Sequence, residues 1–134
     1  MFRQDTHQTP VFSFEKLQVW QKARVFYREV YTLTKQYPPD QQFSLVSQLR
    51  RAALSVPSNI AEGASRMGSK EFLHFISIAY GSLMEAMNQL ILSEDLGLVG
   101  KEQMQVMRNL VAEIARMLSS LRKTIQSDSN LINF

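Results

Sequence analysis

The sequence predicts an all-α protein, a single antiparallel up-down bundle of four helices. Three observations carry that expectation. Four long stretches place apolar residues at alternating spacings of three and four, the rhythm of a bundle seam. Punctuation is sparse, with 5 Gly and 4 Pro in 134 residues, so elements are long and turns are few. No stretch alternates apolar and polar residues as a half-buried strand does, and no internal repeat is visible.

The elements follow in order. Residues 1–12 read as a flexible arm, 13–125 as the bundle and 126–134 as a flexible tail. The first helix is expected from Phe14 to Tyr37, with Ser13 as its N-cap and Trp20, Ala23, Tyr27, Val30 and Thr34 as its seam. Pro38-Pro39 stops it. The second is expected from Asp40 to Arg66. Its seam is Val46, Leu49, Ala53, Val56, Ile60, Gly63 and Met67, and the seam stays in phase across Pro57, which predicts one kinked helix and not two. The third opens after Gly68 with Ser69 as N-cap and Glu71 near the positive end of the helix dipole. It closes at Leu96-Gly97-Leu98, where Gly97 can take the left-handed position. The fourth starts near Lys101 on a seam of Met104, Met107, Val111, Ile114, Leu118, Leu121 and Ile125. Helices of roughly 23 to 28 residues would each span about 35–40 Å, and short turns would make neighbours antiparallel.

The third helix carries more apolar surface than one core needs. Phe72, Phe75, Ile76, Ala79, Leu83, Ala86 and Leu90 form an inward stripe. Leu73, Tyr80, Met84, Met87 and Ile91 form a second stripe beside it, and Met and Tyr suit a subunit interface.

Composition narrows the class further. The chain is 45% apolar and 20% charged, as soluble domains are. It has no cysteine, which removes disulfides, thiolate metal sites and cysteine nucleophiles and fits a reducing compartment. No run approaches the ~18 apolar residues of a membrane span. Met1 to Pro10 is polar and lacks the apolar stretch of a secretory signal, so a cytoplasmic location and no membrane contact are expected.

Catalytic chemistry is not expected. Glu71-Phe72-Leu73-His74 is a Glu-x-x-His, but a di-iron bundle needs that motif twice, and the other histidine is His7 in the arm. Ser120-Leu121-Arg122-Lys123 matches Ser-x-x-Lys without the companion motifs of acyl-transfer enzymes. No Gly-rich phosphate loop is present. No catalytic residue, cofactor or metal follows.

The outward face of the second helix has its own polar rhythm: Ser44, Gln48, Arg51, Ser55, Ser58 and Glu62, with Asn59 beside it. Short polar groups suit close helix approach better than a free surface does. Here the residues resemble a family. The series is Phe14-x-x-Leu17-x-Val19-Trp20-x-x-Ala23, then Gln48-Leu49-Arg50-Arg51-Ala52-Ala53-x-Ser55-Val56-Pro57-Ser58-Asn59-Ile60-Ala61-Glu62-Gly63, then Ser69-Lys70-Glu71-x-x-x-Phe75 and Ala79-x-Gly81-Ser82-x-x-Glu85. It is similar to the bacterial four-helix-bundle proteins encoded in intervening sequences of 23S ribosomal RNA genes. The resemblance covers residues 14 to about 121, with Met84 before Glu85 as a small departure and tails that match nothing.

The resemblance implies a ring-like homopentamer without enzymatic activity. It also implies kinship with the accessory variability determinants of diversity-generating retroelements, basic barrels that bind a reverse transcriptase and nucleic acid. The family does not decide between that role and one tied to ribosomal RNA.

Charge agrees with a polyanionic partner. Net charge is +3 with a pI near 9.4. Residues 1–66 hold nine Lys/Arg against five Asp/Glu, and residues 67–134 hold six against seven. Arg24, Arg28 and Lys35 share one outward face of the first helix, and Arg116 and Lys123 share one of the fourth. In a pentamer of +3 chains such groups repeat to about +15, and phosphate binding scales with their number. No aromatic residues are read as interleaved on these faces, so RNA or DNA is expected to bind through its backbone. The runner-up is a bundle with a protein partner only.

Overall fold

The computed structural model describes residues 9–132, with side chains through residue 128. Four helices account for most of it: α1 Gln18–Thr34, α2 Ser47–Ala64, α3 Ser69–Asp95 and α4 Lys101–Ile132. Each packs on its sequence neighbours, and α1 also packs on α4, which closes the bundle. The links Ser65–Gly68 and Leu96–Gly100 are short enough to force antiparallel neighbours. Among the described residues there is no strand.

The core is one continuous cluster. Val30 and Phe26 of α1, Leu49, Val56 and Ile60 of α2, Ile76, Leu83 and Leu90 of α3, and Ile114 and Leu118 of α4 are fully or almost fully buried. The seam expected for α4 is buried at Met104, Met107, Val111, Ile114, Leu118 and Ile125, with Leu121 half-buried.

The boundaries differ from the expectation for local reasons. Residues Ser13–Lys16 form a separate 3₁₀ turn before α1. Its start is closed by the Glu15 carboxylate, which accepts the Phe12 N–H at 2.8 Å, so Ser13 is not the cap. Pro39–Gln41 and Gln42–Val46 form a 3₁₀ and then a π turn, and regular α-helix resumes only at Ser47. α2 then runs unbroken through the buried Pro57 but ends at Ala64, leaving Met67 fully exposed in the link instead of on the seam. Gly68, one residue earlier than expected, is the N-cap of α3. Gly97 does take the left-handed conformation, with φ at 76°. Its N–H bonds to Glu94 O and that of Leu98 to Ser93 O, both at 2.9 Å, so two end carbonyls of α3 are paired. α4 continues to Ile132, past the end expected near residue 125. Residues 1–8, most of the expected arm with His7, and residues 133–134 lie outside the described residues.

On α1 the buried stripe is Val19, Ala23, Phe26, Val30 and Leu33, with Thr34 at its edge. Trp20 and Tyr27, expected on the seam, are only half-buried. Both sets obey three-four spacing, and chemistry decides between them. Phe26, Val19 and Leu33 have nothing polar to satisfy, whereas Trp and Tyr carry a polar tip that favours a wet margin. The small rotation of α1 that follows changes what its outer surface looks like.

Candidate functional site

The margin where α1 meets α2 brings Arg24, Lys35 and Arg50 beside the rotated aromatic rings. Trp20, Tyr27 and Tyr31 run along this side of α1, with Tyr27 and Tyr31 ring centres 6.3 Å apart. Arg24 lies 5.4 Å over the Trp20 ring, and Lys35 lies 5.4 Å over Tyr31. From α2, Arg50 places its guanidinium 4.0 Å from the Tyr31 ring centre. It is held there by donating to Thr34 Oγ1 at 2.8 Å and, more weakly, to Tyr31 O at 3.4 Å. Thr34 can accept that bond because its own hydroxyl proton goes to Val30 O at 2.7 Å. Leu54, Pro57 and Ala61 of α2 floor a groove against Trp20, Arg24 and Tyr27.

Arg24, Arg28 and Lys35 are exposed, as is Arg51 on the outer side of α2. None of these, nor Arg50, pairs with a carboxylate among the described residues, where the ion pairs are Lys22–Glu113 and Glu62–Arg66. The expectation that no aromatic residue interleaves with the basic face is therefore corrected. It fails because it rests on Trp20 and Tyr27 lying in the core, and both lie on the margin instead. The second basic pair is elsewhere. Arg116 lines a shallow cleft on the opposite flank of α1, with Gln18, Glu113 and Met117, and Lys123 is exposed farther along α4. The fold does not bring the two basic groups together.

The polar seam of α2 divides. Gln48, Arg51 and Glu62 face solvent, and Glu62 pairs with Arg66 at 2.7 Å. Ser55 and Asn59 instead turn toward α3. The Ser55 and Ser82 hydroxyls share a 2.7 Å hydrogen bond, and Asn59 Nδ2 donates to Ser55 O and Oγ, both at 2.8 Å. A turn further, Gly63 meets α3 so closely that a Cβ there would lie 2.7 Å from Phe75 Cβ and 3.0 Å from Phe72 Cδ1. The close helix approach that this seam suggests is thus made, at Ser55, inside one chain.

The second apolar stripe of α3 also divides. Leu73, Met87 and Ile91 are half-buried against the core, while Tyr80 is 40% and Met84 38% exposed. Next to them Gly81 sits in mid-helix with open space around it. His74 is exposed, and no group of three or more His, Cys, Asp and Glu among the described residues could hold a metal ion. No helix of the described residues is long and apolar enough to cross a membrane.

Fold and surface together define a helical-bundle protein with a one-sided cationic margin. Residues 15–120 match the family model described as 23S rRNA-intervening sequence protein. The chain belongs to that family. A solved structure from Bacteroides thetaiotaomicron, described as a protein of unknown function from the S23 ribosomal protein family, is similar to it. The two are 25% identical with a TM-score of 0.73, over 78% of this chain and 95% of the other. No curated protein matches the chain.

Proposed function

We propose that this chain is a non-catalytic scaffold that assembles with copies of itself and carries nucleic acid on its α1–α2 margin. The observation that carries the proposal is a set of five cations without a carboxylate partner among the described residues: Arg24, Lys35 and Arg50 beside the rings of that margin, and exposed Arg28 and Arg51 on the outer faces of α1 and α2. Surface lysines and arginines of a stable bundle ordinarily alternate with acids. A one-signed strip concentrates polyanions, and each phosphate it neutralises releases counterions.

The test is a fluorescence-anisotropy titration of mixed-sequence RNA at several salt concentrations. Replacing Arg24, Arg28 and Lys35 together with Gln should weaken binding and flatten the slope of log K against log salt, by about one unit for each phosphate no longer neutralised. Absence of binding by the unaltered protein at low salt overturns the proposal and favours a protein partner.

Assembly through α3 is supported by exposed Tyr80 and Met84 beside Gly81. A mid-helix Gly weakens a helix by about 1 kcal/mol relative to Ala, and here it relieves no crowding within the chain. Met84→Glu should reduce the mass in light scattering toward the 15.4 kDa of one chain while leaving helix content intact. An unaltered protein that already runs at that mass overturns this part.

A further inference from the structure

We infer that the α1–α2 margin takes nucleic acid as a single strand, with bases laid on the Trp20, Tyr27 and Tyr31 rings and phosphates on the cations beside them. The inference rests on the proposal that this margin carries nucleic acid, and it adds the form recognised. A duplex keeps its bases stacked inside and shows a protein mainly phosphate, so cations alone would serve it. A single strand can lay unstacked bases on aromatic rings and guanidinium planes. This margin offers both at once. Tyr31 is 41% exposed, and the Arg50 plane over it is fixed by its bonds to Thr34 Oγ1 and Tyr31 O, which removes much of the entropy cost of holding it for a base. Arg24 lies 5.4 Å over the Trp20 ring. The rings lie in a row along one helix, so a strand following α1 meets a ring and a cation in alternation. Acidic polypeptide fits less well, because its carboxylates would use the cations and leave the rings bare.

Trp20 is the chain's one tryptophan, so its emission reports this margin alone. The experiment titrates the protein with oligothymidylate, with a duplex of equal phosphate number, with inorganic polyphosphate and with polyglutamate. Oligothymidylate should bind most tightly and quench Trp20, while polyphosphate should bind without quenching. Tyr31→Leu should weaken oligothymidylate about tenfold, within the range of one base stack removed, and leave polyphosphate unchanged. Tyr31→Phe should restore the affinity, because the ring and not the hydroxyl is used. Circular dichroism of both variants checks that helix content is kept. Equal binding of duplex and single strand with Trp20 silent would overturn the inference and leave the electrostatic proposal standing. Polyglutamate binding as tightly as oligothymidylate would also overturn it. Failure of every polyanion to bind at low salt would overturn both.

Discussion

The α2–α3 and α1–α4 seams of the bundle are built on opposite principles. Between α2 and α3 the α2 side is small: Ser55 hydrogen-bonds to Ser82, and Gly63 lies so close to Phe72 and Phe75 that there is almost no room for a Cβ. Between α1 and α4 they are long and flexible. Met107, Gln103 and Val106 face Leu33, Glu29 and Gln36 across a shallow cleft, and the polar tie is a single surface pair, Lys22 to Glu113 at 3.5 Å. Part of the family motif lies on the first seam, at Ser55, Gly63, Phe75 and Ser82, while Trp20 and Arg50 of the same motif lie on the α1–α2 margin. The motif therefore specifies both how α2 and α3 cross and part of what the outer margin carries.

The comparison can be broken most forcefully with cavities. Truncating a buried Ile or Met to Ala costs about 2–5 kcal/mol, and the value depends on how far the site can collapse. Ile60→Ala, on α2 and fully buried, should fall near the top of that range. Met107→Ala, beside the open cleft, should fall near the bottom. Urea denaturation of both variants checks the order, and equal destabilisation would show that the two seams are equally rigid.

A smaller effect sharpens it. Gly63→Ala gains about 1 kcal/mol of helix propensity but places a methyl 2.7 Å from Phe75 Cβ, an atom close to the backbone. Overpacking should win and leave a net destabilisation of about 1–3 kcal/mol. Gly81→Ala, with nothing within reach, should instead stabilise an isolated chain by about 0.5–1 kcal/mol. Opposite signs of the shift in denaturation midpoint at low protein concentration are the expected result.

The smallest effect concerns pH, at Tyr37 just past the end of α1. Its phenol is buried and has no hydrogen-bond partner of ordinary geometry. Burial raises its pKa above the ordinary value near 10, and the neighbouring Ser93 hydroxyl, which donates to Gln89 O at 2.8 Å, offsets only part of that. A group whose pKa is raised by folding contributes stability that is complete below the unfolded value and is lost as pH climbs through the folded one. Stability should therefore decline above about pH 10, and Tyr37→Phe should make the decline shallower. Parallel slopes for the two proteins in thermal melts from about pH 9 to 11 would show that the phenol does not contribute.

The architecture was legible in the sequence where seams were unambiguous, as on α4, where every expected position is buried or half-buried. It was less legible on α1, where two interleaved sets share the three-four rhythm and only the polar tips of Trp20 and Tyr27 mark them as marginal. The same ambiguity hid the aromatic half of the candidate site. The α2 polar rhythm pointed to close helix approach; Ser55 makes such an approach to α3 while Gln48, Arg51 and Glu62 face solvent, and periodicity cannot say which helix approaches or whether it belongs to the same chain. Nor could it foresee Arg50, whose place over Tyr31 depends on a crossing between helices, with partners 16 and 19 residues apart in its two hydrogen bonds.

Pro57 bears on what holds α2 in helical form. With Pro57, Gly63 and several Ser and Asn residues, α2 is a poor helix by intrinsic preference, and its proline removes one rung from the backbone ladder. α3 and α4, the two longest helices, are joined by five residues with a paired carbonyl end at Gly97, so their hairpin needs only local pairing. With little intrinsic preference of its own, α2 depends on packing against α1 and α3 for its helical form.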